Sequence, residues 1–430
     1  MNTTIQRISA QVDSLRGEMT DFLARLVQFP SLPGKEQPAQ YFYAEKLQAL
    51  GLNPGILTSR KEELEKHPAF CDDGVPFEDR VNVVGRWQGT GNKSGKKKEA
   101  PRTLILNGHM DVVPTGSEAL WSASPWSGKV EKGKLFGRGA CDMKAGLTAN
   151  VFAVQALQAL KFRPSADVLL ESVIGEESGG VGTLTTIVKN ISADAAIITE
   201  PTALRPCPVQ SGALTFRLKV PGRAIHACMK PHGVSAIEKF YLLMQSIQEL
   251  EHRRHHQYKN ALYEDANNIA PISFGTIHGG DWPSTVPDEV KVEGRFGVLP
   301  GENLGDARRA MAAAIARAVA VDPWLKLHPP EVEWFEGQFE SGQTRVNEPI
   351  VECIQQCHAE VMGRVATLQG VTYGSDLRLF TNHAHVPAIL YGPGNVAQAH
   401  TVDEWVDLKE VFSAAKVLAY IITQWCGGEF

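Results

Sequence analysis

A chain of 430 residues exceeds one typical domain, so two or three domains are expected, with ample material for a core. A hydrophobic share of 43% and a charged share of 21% fit an ordinary globular protein, and a formal charge of -5 with a pI near 6.2 leaves no basic field for nucleic acid or an anionic membrane surface. No apolar run approaches the ~20 residues of a bilayer span, so small molecules are the expected partners rather than nucleic acid or membrane.

Residues 5 to 28 open the chain with a helical pattern (Ile8, Val12, Leu15, Met19, Phe22, Leu26), which lacks the continuous apolar core of a secretory signal. Seven Cys, an odd number without a regular framework, read as reduced thiols, and a cytoplasmic location is expected. A second helix follows near 37 to 50, then strands near Val81 to Gly85 and Thr103 to Asn107. The charge run Lys93 to Glu99 between those strands reads as a solvated loop. Next come a helix from Lys144 to Leu160, a strand Asp167 to Ile174, a helix Gly182 to Lys189 and a strand Ala195 to Thr199. This alternation predicts an α/β layer with a mixed, mostly parallel sheet flanked by helices, in which ligands gather beyond the carboxyl ends of strands.

From Gly212 the rhythm changes. The alternation Leu214-Thr215-Phe216-Arg217-Leu218-Lys219-Val220 predicts a half-buried strand, followed by a helix from Ser235 to about Arg253. Strands Ile272 to Ile277 and Val290 to Val298, a helix Leu304 to Val319 and a strand Glu331 to Phe335 complete the α+β order of a ferredoxin-like domain. Residues 212–337 are thus expected to form an inserted domain, with 1–211 and 338–430 as a discontinuous first domain. The latter resumes with a helix Pro349 to Met362, a strand Pro387 to Tyr391 and a helix Leu408 to Trp425.

Five clusters carry chemistry: Gly108-His109-Met110-Asp111, Ala140-Cys141-Asp142-Met143, Gly175-Glu176-Glu177-Ser178, Thr199-Glu200-Pro201 and Ala399-His400-Thr401. Two His and three carboxylates, with a further Asp and a further Glu close by, can hold two divalent cations and still leave a general base. His109 and Asp111 stand two apart, so in extended geometry they point the same way, and the carboxylate can accept the ring N–H and fix the tautomer. Each cluster alone has a plainer reading. His109 and Asp111 form an ordinary hydrogen bond, Asp142 caps a helix, and Glu176 with Glu177 lie in a solvated turn. Their joint occurrence carries the argument.

The phrases Asn107-Gly108-His109-Met110-Asp111-Val112-Val113-Pro114, Gly137-Arg138-Gly139-Ala140-Cys141-Asp142-Met143-Lys144, Gly175-Glu176-Glu177-Ser178-Gly179-Gly180 and Thr199-Glu200-Pro201-Thr202 resemble the acetylornithine deacetylase and succinyl-diaminopimelate desuccinylase family of co-catalytic zinc hydrolases. The resemblance covers nearly the whole chain. It implies that Asp142 bridges two metals, with His109 and Glu200 on one and Glu177 and His400 on the other. It further implies Glu176 as general base and acid, Asp111 as the residue that orients His109, and a homodimer formed through the inserted domain. By the same resemblance His226, in Gly222-Arg223-Ala224-Ile225-His226-Ala227, stabilises the oxyanion in the other subunit's site. The resemblance also implies that Arg295 contacts a substrate carboxylate and that Asn268, Gly374 and Ser375 approach the substrate. The bland alternatives are a surface His for His226 and a strand-edge salt bridge for Arg295.

The implied cofactors are two divalent ions, Zn²⁺ first, with Mn²⁺ and Co²⁺ suited to the same ligands. The implied activity is hydrolysis of an amide C–N bond, with an N-acyl amino acid deacylase as the leading reading. Dipeptidase, carboxypeptidase, deformylase and deaminase activities on other small amines are alternatives. A non-catalytic binding protein is a different class, and it would be expected to have lost Glu176 or a ligand. The segments Cys353 to His358 and His252 to His256 read as helix core and polar helix end. Gly279-Gly280-Asp281-Trp282-Pro283-Ser284 reads as an exposed turn with an anchoring Trp or as a substrate-facing loop.

Overall fold

A computed structural model describes residues 3–91 and 100–430, with only the backbone of Glu336; the charge run Lys93 to Glu99 lies outside the described residues. Two compact units result, one formed by 1–208, 343–369 and 375–430 and the other by 209–342 and 370–374. The return to the first unit falls at Gln343, later than the sequence pattern places it. Gly370–Gly374 joins the second unit because Gly370–Val371 pairs in parallel with Val209–Gln210.

Among the described residues the two main sheets contain, in chain order, β1 (Gly55–Thr58), β2 (Val81–Trp87), β3 (Leu104–His109), β4 (Val168–Val173), β5 (Ala195–Ile198), β6 (Gly212–Pro221), β7 (Ile272–Gly279), β8 (Glu289–Val298), β9 (Glu331–Phe339) and β10 (Ala388–Leu390). The principal helices are α1 (Thr3–Ser14), α2 (Arg16–Val27), α3 (Gln37–Ala49), α4 (Ala145–Ala159), α5 (Val181–Val188), α6 (Ala236–Gln257), α7 (Leu304–Val321), α8 (Pro349–Met362) and α9 (Leu408–Trp425).

In the first unit the sheet order is β1-β2-β4-β3-β5-β10. Strands β4, β3, β5 and β10 run parallel, and β2 and β1 add an antiparallel edge. Every residue of β3, β4 and β5 is buried, as expected of parallel strands covered on both faces. Edge strand β1 escapes the sequence pattern because its residues are mostly exposed and show no apolar run. The single helix expected over 5 to 28 is broken at Leu15 (φ -96°, ψ 1°). The Leu15 N–H closes a short bond to Val12 O, the chain restarts at Arg16, and nearby Gly17 is a poor helix former. Helix α4 is apolar nearly all round and packs against α9, with Leu147, Val151, Phe152 and Val154 fully buried.

That burial sets the position of a functional strand end. A Cβ on Gly146 of α4 would lie 2.1 Å from the Thr199 carbonyl oxygen, so helix and strand end approach as closely as only glycine permits. Gly146→Ala is expected to destabilise the protein by about 1–3 kcal/mol, as overpacking does, and to displace Glu200. A urea unfolding midpoint unchanged from wild type would show that this contact is soft.

In the second unit β6 pairs antiparallel with β8 and β9, and β7 pairs antiparallel with β8, giving the order β7-β8-β6-β9. Leu214, Phe216, Leu218 and Val220 point into a core closed by Phe240, Leu243 and Ile247 of α6 and Met311 and Ala314 of α7. On the opposite face Arg217 bridges Glu293 and Glu333 across three strands. Helix α6 starts at a Ser235 cap whose hydroxyl accepts the Glu238 N–H, and α7 starts at Asn303, whose side chain accepts the Asp306 N–H.

Candidate metal centre and active site

Three adjacent parallel strands deliver the first residues. His109 closes β3, while Glu176 and Glu177 follow β4, and Glu200 follows β5, so all project beyond the carboxyl edge of the sheet. Thr199 is fixed to β3 through its N–H and hydroxyl, both bonded to Asn107 O, which sets the exit of the chain towards Glu200. The turn bearing Glu176 and Glu177 begins at Gly175, whose φ of +63° and close approach to Arg80 Nη2 (2.6 Å from a would-be Cβ) admit no side chain. Behind it Arg80 binds Asp73, which also accepts the Ser178 hydroxyl.

His109 is buried and its ring is oriented from both sides. Nδ1 lies 2.8 Å from the backbone carbonyl of Asp111, an acceptor only, so Nδ1 carries the proton and Nε2 is left with its lone pair facing the acidic cluster. The Asp111 carboxylate is 3.7 Å from that ring nitrogen; its two oxygens instead accept the N–H groups of Glu176 and Glu177, at 3.2 and 3.1 Å. Asp111 therefore sets the tautomer through its main chain, and its side chain anchors the Glu176–Glu177 turn.

His109 Nε2 lies 3.1 Å from Asp142 Oδ1, and His400 Nε2 lies 3.6 Å from Asp142 Oδ2 and 3.1 Å from Glu177 Oε1. The two imidazoles thus face different oxygens of one carboxylate. Glu176 and Glu200 each place an oxygen 4.0 Å from His109 Nε2, and Glu200 also shares a hydrogen bond with Asp142. Ligand atoms of His109, Glu176 and Glu200, and of His109, Asp142 and Glu177, gather within 4.8 Å of one another. Bonds of about 2.0–2.1 Å to nitrogen or oxygen put tetrahedral ligands roughly 3.3 Å apart, inside the observed range of spacings. The donor set therefore fits divalent cations: lone pairs from His and carboxylates converge where only cations or protons could balance them. The plainer role for Asp142, a helix cap, does not match its position: it lies inside the irregular turn Ala140–Lys144 with extended φ/ψ (-118°, 98°), and the cap position of α4 is Lys144.

The electrostatics agree. Burial, with crowding by Glu200, Asp376 and Glu177, pushes Glu176 well above the usual carboxylate range against the pull of His109. Burial likewise raises Glu200 and Glu177. Asp142 is also pushed up by burial, but His109 and His400 bring it below its ordinary value. His400, half exposed, is raised to about 9 chiefly by its bond to Glu177.

A second layer was not legible in the sequence. Arg138 and Glu404, 266 positions apart, form a buried ion pair of 2.6 Å. Asn107 links Glu171 to Thr183, whose hydroxyl bonds Asp376 at 2.6 Å. Burial raises Glu171 to about 7 and raises Asp376 as well. Because folded Glu171 holds its proton above the unfolded carboxylate range, its contribution to stability falls as pH rises from about 4.5 to 7. Glu171→Gln should be more stable than wild type by on the order of 3 kcal/mol at about pH 8 and gain little at about pH 5. Equal urea midpoints at both pH values would contradict this.

The other expected residues fall as follows. Ser375 is buried, its hydroxyl accepting the Leu377 N–H, and Gly374 packs against Phe339. In the second unit His226 is exposed, with Nδ1 accepting the Cys228 N–H, and Asn268 is exposed in a loop. Arg295 of β8 is half buried, donates to Thr372 O, and has no ion-pair partner among the described residues. His358 and Cys357 are buried in α8, with His358 bonded to Tyr391, and His255 accepts the Ala270 N–H. Trp282 is 69% exposed and so does not anchor its turn within the chain.

Residues 105–424 match peptidase family M20/M25/M40. The chain belongs to that family. An M20/M25/M40 protein with this cluster is a dinuclear metallohydrolase acting on C–N bonds. Among its relatives is N-formyl-4-amino-5-aminomethyl-2-methylpyrimidine deformylase of Halalkalibacterium halodurans, 28% identical over 450 aligned residues, covering 99% of this chain and 98% of that protein. An acetylornithine deacetylase of Pasteurella multocida is 28% identical over 335 residues, covering 76% of this chain and 81% of the other. Among solved structures, a dipeptidase from Saccharomyces cerevisiae superposes with a TM-score of 0.74 at 15% identity, covering 99% of both chains, and shares the fold. No described helix is long and apolar enough to cross a membrane.

Proposed function

We propose that this chain removes a small acyl group from the nitrogen of a small amine, with an N-formyl aminomethylpyrimidine as the leading substrate. The observation supporting the reaction is the placement of one carboxylate, Asp142, between two imidazoles that face its separate oxygens, with buried Glu176 4.0 Å from one of them. The substrate reading is supported by the end-to-end alignment with the pyrimidine deformylase, which spans both units. A second reading, an N-acyl amino acid such as N-acetylornithine, is favoured by Arg295. A guanidinium without a carboxylate partner among the described residues suits a substrate carboxylate.

His109, Glu200, Asp142, Glu177 and His400 would hold two ions, Zn²⁺ being our choice and Mn²⁺ or Co²⁺ compatible with the same donors. A bound pair of divalent ions supplies Lewis acidity towards the scissile carbonyl and the attacking water. Glu176 takes a proton from that water as the C–O bond forms and returns it to the amine nitrogen as the C–N bond breaks. Burial shifts its carboxyl upward, which favours proton acceptance from the water. Asp111 holds the Glu176 and Glu177 main chain in place during the transfer.

The reading includes a homodimer through the second unit, in which His226 of one chain would stabilise the oxyanion in the other's site. The eight-residue edge strand β7 and the exposed Ile277, Trp282, Met229, Ile237 and Tyr241 support such a contact. Seven free cysteines support a reducing, cytoplasmic setting.

The test is metal content by mass spectrometry on fresh protein, light scattering for the dimer, and turnover of N-formyl aminomethylpyrimidine, N-acetylornithine and a dipeptide, with Glu176→Ala as control. Two ions per chain and Glu176-dependent release of formate support the leading reading. Turnover of N-acetylornithine alone moves the assignment to the second, and no bound metal overturns both.

A further inference from the structure

We propose that Glu404 is a positioning residue for the metal centre: together with Arg138 it clamps the three loops that carry His109, Asp142 and His400. This rests on those three being ligands. Glu404 is fully buried, yet both its oxygens are occupied. Oε1 accepts the N–H of Cys141 at 2.9 Å and of Asp142 at 3.1 Å, and Oε2 accepts Arg138 Nη1 at 2.6 Å. Arg138 extends the clamp, Nη1 donating to Thr401 O and Nη2 to Pro114 O, each at 3.3 Å. Thr401 adjoins His400, and Pro114 ends the segment that leaves β3 through His109 and Asp111.

One ion pair therefore touches every segment contributing a ligand, apart from the Glu177 turn and Glu200. The two strips run side by side, with Lys134–Phe136 paired antiparallel to Trp405–Asp407 and Gly137 N–H bonded to Glu404 O. Asp403 fastens the same loop from outside through the N–H and hydroxyl of Ser122. Taking two charges out of water is costly unless their remaining hydrogen-bonding capacity is met, and here main-chain groups of the ligand loops meet that of Glu404 Oε1 and both Arg138 Nη atoms, leaving Arg138 Nε without a partner among the described residues. Such a pair is better placed to fix geometry than to add stability. The backbone of Asp142, whose carboxylate faces both imidazoles, is then set by Glu404 and not by helix α4 alone.

The experiment titrates Co²⁺ into metal-free wild type, Glu404→Gln, Glu404→Ala and Arg138→Lys, following heat and visible absorption, with thermal melting of each metal-free protein. Wild type should take two Co²⁺ per chain. Glu404→Ala should bind on the order of 10–100-fold more weakly, as losses in the outer shell of a metal site do, with altered Co²⁺ bands. Glu404→Gln keeps an oxygen for the Cys141 and Asp142 N–H groups and should recover much of the affinity, and Arg138→Lys should fall between. Wild-type affinity and bands in both Glu404 variants would overturn the proposal. So would an affinity loss seen only where the metal-free variant is unfolded, which would make Glu404 purely structural. Wild type that binds no Co²⁺ overturns the ligand reading instead.

Discussion

Replacing Glu176 with glutamine is expected to lower kcat by about 10²–10⁴-fold, the usual worth of a positioned general base and acid, while two metal ions stay bound. The amide keeps the shape of the side chain and cannot accept a proton. This outcome also separates two roles that distance alone leaves equal. Glu176 and Glu200 both place an oxygen 4.0 Å from His109 Nε2. Should Glu176→Gln lose an ion along with activity, Glu176 is a ligand; should Glu200→Gln retain both ions, Glu200 is not one. Turnover of Glu176→Gln within about tenfold of wild type would remove Glu176 from proton transfer altogether.

Stripping the ions with a chelator should abolish turnover and also reverse the pH dependence of stability. With metal at about 100 times its Kd, binding adds about 2.7 kcal/mol to the folded state, and this gain shrinks on acidification as protons displace the ions from His and carboxylate ligands. Without metal the opposite holds. Glu176, Glu177 and Glu200 have folded values above their ordinary range, and His400 is raised to about 9, so the folded state holds more protons than the unfolded chain from the carboxylate range upward. Stability of the stripped protein should therefore fall as pH rises from about 5 to 9. Thermal melting of stripped and loaded protein across that range checks it. Parallel curves would mean that the cluster does not exchange protons for metal.

Much of the fold was legible because its segments obey strong local rules. Helices α8 and α9 carry long apolar helical patterns bounded by Pro349 and by an Asp407 cap, and the expected ranges coincide with the observed ones. Strands β3, β4 and β5 each begin with a short apolar run, as a parallel sheet buried on both faces favours, although β3 and β4 also bury Asn107 and Glu171. The break at Leu15 and the edge strand β1 were not legible, since one depends on a single turn and the other has little apolar surface to show.

The sequence by itself determined which residues were candidates for the site, because His109, Asp142, Glu177, Glu200 and His400, residue types able to bind cations, each stand in a distinctive cluster at or near the end of an element. Periodicity also determined the two kinds of unit, since a period of two and a period near 3.6 survive in any linear reading. Only the tertiary structure decided which atoms of those residues meet. The Asp111 carboxylate turned from His109 to the Glu176–Glu177 main chain, and Glu404 reached Arg138 across 266 positions. The reason is physical: a ligand's identity is a property of one side chain, whereas its tautomer, charge and aim depend on backbone groups and buried charges that folding alone brings into hydrogen-bonding reach.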